Sequence, residues 1–270
     1  MKKVSFVFGT RPEAIKLAPV ILAMRGRTDL MPHVCVTGQH REMLDQMLTV
    51  FGITPDVDLN LMQPNQALSG LTAHALMSVA SYLEAHRPDI VVVQGDTTTT
   101  FSAALAAFYG RIPIAHVEAG LRTWDKSSPF PEEINRSLTS RLADLHLAPT
   151  DWARGNLLRE GIPENRIFVT GNTVIDALNL AIAKTPIDKG SVNGLPVDLL
   201  NGNSDRPLVL ITSHRRENFG PGFQSICEAV RCLAEEFSEA AFVYPVHLNP
   251  SVREPVFKLL SGIDNVFLLE

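Results

Sequence analysis

An α/β chain wound in two successive halves is the fold class that the sequence predicts, and three observations predict it. Short apolar runs recur, each closed by a glycine-rich or polar turn and followed by a helical stretch, which is the alternation of parallel βαβ units. One run, Ile90 to Val93, is apolar at every position, as a central parallel strand buried on both faces must be. Between Lys184 and Pro207 the composition turns to Pro, Gly, Asn, Asp and Ser, and the alternation restarts at Leu208. That stretch reads as an interdomain segment. The expected boundaries are a first domain over 1–183, a linker over 184–207 and the second half over 208–270.

Val4 to Phe8 is the first predicted strand. Thr10 and Glu13 then form a capping box, and Ala14, Leu17, Ala18, Ile21 and Met24 recur at helical spacing. This β-turn-α unit lacks the three-glycine dinucleotide fingerprint, and no GxxxxGK[ST] loop occurs in the chain, which argues against nicotinamide and ATP. Arg11 and Lys16 lie at or just inside a helix N-terminus, where anions are favoured; the plain alternative is a pair of solvated surface charges. His33 to Thr37 predicts a second strand, followed by Gly38-Gln39-His40-Arg41 and a helix through Phe51. Residues 52–69, with Pro55 and Pro64, read as irregular, and a helix over Leu71 to Ala85 follows.

The all-apolar strand ends in Gln94-Gly95-Asp96, which puts Asp96 at a strand's carboxyl end, although Asp96 or Thr97 would also serve as a helix cap. The small apolar helix Phe101 to Tyr109 suits close packing on a sheet. Ile112 to Ala115 predicts the next strand, and Glu118 falls just beyond it, flanked by apolar Val117 and Ala119. A carboxylate so placed must be partnered or have work to do. Pro129 and Pro131 bracket Phe130 in a stiff loop, and Glu132 and Glu133 open the next helix, where the macrodipole alone would favour acids. Asn135 to Leu142 is helical, Leu145 to Ala148 a strand, Pro149-Thr150 a helix start, and Ile167 to Thr170 a strand ending in Gly171-Asn172-Thr173. In the second half, Leu208 to Thr212 is a strand leading to Ser213-His214-Arg215-Arg216. A helix near Phe223 to Phe237 and strands near Phe242 to Val246 and Asn265 to Leu269 complete the series.

A chain of 270 residues with 45% hydrophobic content and net charge −5 is ordinary for a globular protein and lacks the basic stripe that nucleic-acid binding requires. The N-terminal apolar run is too short for a signal peptide, and no stretch approaches the roughly 20 apolar residues of a membrane span. The expected compartment is the cytoplasm. Cys35, Cys227 and Cys232 lack zinc-ligand spacing and are expected to be reduced and buried; no metal is expected.

Four stretches, FGTRPEAIK, QGDTTTT, HVEAGLRTWDKSSPFPEEINR and TSHRREN, together resemble the bacterial non-hydrolysing UDP-N-acetylglucosamine 2-epimerases, from Val4 to the last residue. The resemblance implies two Rossmann-like domains facing a cleft in a GT-B-like arrangement, a cytoplasmic homodimer, no cofactor, and reversible C2 epimerisation of UDP-N-acetylglucosamine to UDP-N-acetylmannosamine for surface polysaccharide. By position it makes Asp96, Glu118, Glu132 and His214 the catalytic group, with Arg11 and Lys16 on the nucleotide-sugar, and places Gln39 and His247 at an allosteric activator site. Glu42 and Asn65 depart from that activator pattern. The chain stops after about three strands of the second half, where open sheets usually carry five or six, so a second domain cut short is expected. It would lack the Ser-Gly-Gly stretch that the family uses for uridine and diphosphate. A hydrolysing epimerase, a truncated non-catalytic binding module and a glycosyltransferase remain as alternatives.

Overall fold

Seven parallel strands form the first sheet, in the order β3-β2-β1-β4-β5-β6-β7. They are β1 (Lys2–Phe8), β2 (Leu30–Val36), β3 (Val57–Asp58), β4 (Ile90–Gln94), β5 (Ile114–Val117), β6 (Leu145–Ala148) and β7 (Ile167–Val169). The intervening helices are α1 (Arg11–Arg25), α2 (Arg41–Phe51), α3 (Leu68–His86), α4 (Thr98–Tyr109), α5 (Glu132–Leu142), α6 (Asp151–Arg159) and α7 (Val174–Lys184). This computed structural model describes residues 1–38, 41–61, 66–184, 192–200, 204–213, 220–247 and 249–269. It separates into two units, Met1–Pro186 and Ile187–Glu270.

Successive residues of a strand point to opposite faces, and β1 shows what this does. Phe6 and Phe8 join α1, α2 and Ala177 of α7 in one core, whereas Val7 joins α3 and α4 in another. Phe6, Phe8, Leu17 and Ile21 are each 0% exposed, and burial of such a side chain stabilises by about 1.5–3 kcal/mol. Helices therefore cover both faces, and β1 and β4 are adjacent strands whose following helices, α1 and α4, lie on opposite sides.

The second unit contains α8 (Val197–Leu200), β8 (Leu208–Leu210), α9 (Pro221–Glu236), β9 (Ala241–Pro245), α10 (Pro250–Leu260) and β10 (Val266–Leu269), with its parallel strands in the order β10-β9-β8. Tyr244 is fully buried against α9 and α10. The Asn265 amide donates to the carbonyls of Ala234, Phe237 and Ala240 at 2.9–3.2 Å, satisfying the end of α9.

Several expectations need correction. Residues 52–69, expected to be irregular, contain β3, whose two residues are too few to show a period. The strand predicted at Ile112 to Ala115 runs instead from Ile114, because Arg111 (φ +52) turns the chain out of α4 and Pro113 has no N–H for the ladder. Cys35 and Cys227 are buried as expected, but Cys232 is exposed, since it falls off the buried stripe Phe223, Cys227, Val230 and Ala234 of α9. All three cysteines are free thiols. Among the described residues no helix is long and apolar enough to cross a membrane.

Candidate active site

In doubly wound sheets, ligands bind beyond the carboxyl ends of the strands where the order reverses. Here the reversal lies between β1 and β4. The turn after β1 leads into α1, which carries Arg11 at its first position and Lys16 five residues on; the turn after β4 carries Asp96; and the residue after β5 is Glu118.

Glu118 adopts φ +62, a conformation that non-glycine residues take up only when their surroundings enforce it. The enforcement is visible at its carboxylate, which accepts from Lys16 Nζ at 2.5 and 2.7 Å, from Gln94 Nε2 at 2.5 Å and from Asn172 Nδ2 at 3.2 Å. Side-chain exposure is 22% for Lys16 and 11% for Glu118. Breaking such a partly buried pair from one side costs about 3–5 kcal/mol. Two residues on, Gly120 takes φ +91, and a Cβ there would lie 2.3 Å from the Ala153 carbonyl oxygen. Only glycine fits.

Asp96 pairs with Arg136 at 2.8 Å, and its backbone carbonyl accepts from Asn135 Nδ2 at 3.0 Å. The helix-cap reading applies to its neighbour, since Thr97 Oγ1 accepts from Thr100 N at 3.1 Å. Burial pushes the Asp96 carboxyl up to about 6; Arg136 opposes this, and the charges of Glu132 and Glu118 add to it. These couplings bring the three sequence-predicted carboxylates into one electrostatic cluster.

The first turn of α5 divides its two acids between tasks. Glu133 is buried and accepts from the backbone N–H groups of Thr123 and Trp124 at 3.1 Å, so it holds the preceding loop. No hydrogen bond reaches the side chain of Glu132 among the described residues, and that carboxylate is half-buried. Arg136, one turn further, lies 3.6 Å from Glu133 as well as against Asp96. One helix thus supplies Glu132, the partner of Asp96 and the anchor of the loop.

Beneath these groups are two buried residues. Glu13, 1% exposed, accepts from Gly9 N and Thr10 N at 3.0 and 2.8 Å and from the hydroxyls of Thr97 and Thr100 at 2.8 and 3.0 Å. The predicted cap of α1 therefore also joins the turn after β1 to the start of α4. His116, fully buried in β5, faces the Gly95 carbonyl at 2.7 Å. Its Nε2 must carry the proton there, and burial depresses the ring to about 3, leaving it neutral.

Arg11 is exposed at the first position of α1. His214, with Arg215 and Arg216, and Gln39 and Asn65 lie outside the described residues. His247 is exposed two residues beyond β9, where its Nδ1 accepts from Asn249 N at 3.1 Å. Among the described residues no group of three or more His, Cys, Asp or Glu is placed to hold a metal ion. Sequence reasoning assigned no role to Gln94, Asn172 or Arg136. Gln94 adjoins Gly95-Asp96, Asn172 follows the last strand of the sheet, and Arg136 is four residues after Glu132, a spacing that places both on one helix face.

The arrangement equips one sheet edge for proton transfer next to anionic groups. Burial raises the Asp96 carboxyl to about 6, Glu118 is a carboxylate held by three donors, Lys16 among them, and Arg11 supplies positive charge at the N-terminus of α1.

Comparison with known proteins gives this site a family. Residues 22–270 match the family model described as UDP-N-acetylglucosamine 2-epimerase. The chain is 52% identical over 271 residues to the UDP-N-acetylglucosamine 2-epimerase of Yersinia pestis, covering 99% of this chain and 71% of that relative. The Neisseria meningitidis UDP-GlcNAc 2-epimerase structure bound to UDP-GlcNAc superposes with a TM-score of 0.91 at 50% identity, covering 99% of this chain and 72% of the other. The S. aureus MnaA structure with UDP gives 0.87 at 47% identity, covering 100% and 69% respectively.

Proposed function

Because the chain belongs to the UDP-N-acetylglucosamine 2-epimerase family, we propose that it interconverts UDP-N-acetylglucosamine and UDP-N-acetylmannosamine, with Asp96, Glu118 and Glu132 handling the chemistry. The observation that carries this reading is the clustering of the three carboxylates beyond the carboxyl ends of the strands, where burial raises Asp96 to about 6 and the charges of Glu132 and Glu118 add to the rise. The hydrogen on C2 of the sugar is not next to a carbonyl, so direct removal is out of reach. Expelling UDP first leaves a cationic sugar whose C2 proton is acidic. A carboxylate then takes that proton to give an unsaturated glycal, after which protonation on the opposite face and return of UDP complete the inversion.

Two faces require two proton-handling groups. Asp96 suits one of these roles because a midpoint near neutrality favours both giving and taking a proton. Glu132, with no donor committed to it among the described residues, suits the other. Glu118, clamped by Lys16, Gln94 and Asn172, suits stabilising the cationic sugar. Arg11 supplies charge for the diphosphate and His214 assists the leaving group. Gln39 and His247 belong to the activator site in the same reading.

For the whole molecule we propose the GT-B-like pairing of two Rossmann-like domains, with 208–270 as the first part of the nucleotide-sugar domain. Supporting this, the described residues of the second unit form a parallel sheet in the order β10-β9-β8, and the Neisseria meningitidis structure matches over 99% of this chain. A cytoplasmic homodimer serving surface polysaccharide synthesis completes the proposal.

The test is incubation with UDP-N-acetylglucosamine in deuterated water, following C2 labelling and products by NMR. UDP-N-acetylmannosamine carrying C2 deuterium is expected, with turnover lowered by about two or more orders of magnitude in each of D96N, E118Q and E132Q. Free N-acetylmannosamine would identify the hydrolysing variant of the reaction, and unimpaired turnover in all three variants would reject the assignment.

A further inference from the structure

At the opposite, amino-terminal edge of the first sheet, the chain enters β5 and β6 through two turns that leave a depression of about 420 Å³ between them. Arg111, Arg141 and Arg166 line it, with Asp144, Phe108 and Ile112. Its only carboxylate is already engaged: Asp144 Oδ2 accepts from Ile114 N at 3.1 Å, and Oδ1 lies 3.9 Å from Arg166. The guanidinium groups of Arg111 and Arg141 make no hydrogen bond or ion pair with any described residue. Three guanidiniums against one carboxylate leave two uncompensated positive charges in a concave site, on a chain whose net charge is −5.

Solvated surface arginines are the plain reading of such a cluster, and two further observations count against it. Arg111 is held at φ +52, a strained conformation for a side-chain-bearing residue at a place where glycine would be relaxed. The depression also shares Ile112 with a second one of about 450 Å³, lined by Leu83, Ala106 and Tyr109 together with Glu84 and Arg87. A cationic hollow thus adjoins a largely apolar one.

We propose that this edge is a second ligand site, separate from the carboxylate cluster, and that it binds a phosphomonoester carrying an apolar or aromatic group. The arginine forks match phosphate oxygens in bidentate geometry, and the neighbouring hollow takes the apolar portion. From Ile114 to Glu118 the strand rises roughly 3.3 Å per residue, so the two sites lie at opposite ends of β5, about 13 Å apart, and one small ligand cannot fill both.

The test is calorimetric titration of the full chain at constant ionic strength with two probes, inorganic phosphate and phenyl phosphate. Phenyl phosphate is expected to bind at least about threefold more tightly than phosphate. R141Q and R111G, the latter relaxing the turn while removing the charge, should each weaken phenyl phosphate by about tenfold or more. R11A, altered at the other edge of the sheet, should leave it within about twofold. Far-ultraviolet dichroism establishes that each variant is folded. Absence of binding to the unaltered chain, equal affinity for the two probes, or loss in R11A with retention in R141Q and R111G would overturn the proposal and leave solvated surface charges only.

Discussion

Replacing Asp96 by asparagine should stabilise the first unit at neutral pH while removing its proton chemistry. The magnitude follows from the environment of the carboxyl, whose midpoint rises from the ordinary 3.8 to about 6 under burial and the charges of Glu132 and Glu118, net of the attraction of Arg136. A difference of about two pH units corresponds to roughly 3 kcal/mol. The side chain is 28% exposed, so water screens part of this, and about 1–2 kcal/mol is the expected gain. Between pH 3.8 and 6 the folded chain holds a proton that the unfolded chain has released. The protonated carboxyl's advantage is therefore complete below the lower value and lost as pH rises through the higher one. Asparagine, which never ionises, keeps that advantage. D96N should match the native chain near pH 4 and exceed it by the full amount above about pH 7. The assay is urea unfolding across that range followed by tryptophan fluorescence, which reports the first unit because Trp124 and Trp152 are the chain's two tryptophans. A gain independent of pH, or a variant weaker than the parent at pH 7, would refute the electrostatic account of Asp96.

Three further outcomes are expected. Gly120→Ala drives a methyl into the Ala153 carbonyl at a left-handed position and should cost at least about 3 kcal/mol in the same urea assay; a loss under 1 kcal/mol would mean that the neighbouring helix yields. Glu13→Gln replaces a buried acceptor of four hydrogen bonds by a group that accepts at one atom only, and should cost about 2–4 kcal/mol; turnover lost without loss of stability would give Glu13 a different role. The His116 ring, depressed to about 3 by burial, should show no titration by NMR between pH 5 and 8. Its neutral burial makes stability fall as pH drops below the ordinary 6.5, because the unfolded chain takes up the proton there; a titration midpoint near 6.5 would show that the ring is open to water.

Much of this architecture was legible because it depends on local pattern. The all-apolar run at Ile90 to Val93 marks a central strand, and a polar residue just beyond such a run stands at the carboxyl edge, which is how Asp96 and Glu118 stood out. What could not be read depends on long-range pairing. Glu13 meets Thr97 and Thr100 across more than eighty positions, and Asn172 reaches Glu118 across 54. No periodicity encodes such contacts. The order of the strands, and hence the placing of the reversal between β1 and β4, likewise emerges only when the chain is folded. The irregular reading of residues 52–69 failed for a simpler reason, since Val57–Asp58 is a strand in its pairing with β2 and not in its own composition.

The exposure of Cys232 turns the protein into its own ruler. The Cys35 thiol is pushed up beyond the usual range by burial, and that of Cys227 is raised for the same reason. Both are sheltered from a maleimide, while Cys232 is open to it. A dye attached there sits in the second unit, and both tryptophans sit in the first. Energy transfer from indole to dye therefore reads the distance between the two units in solution without any engineered residue.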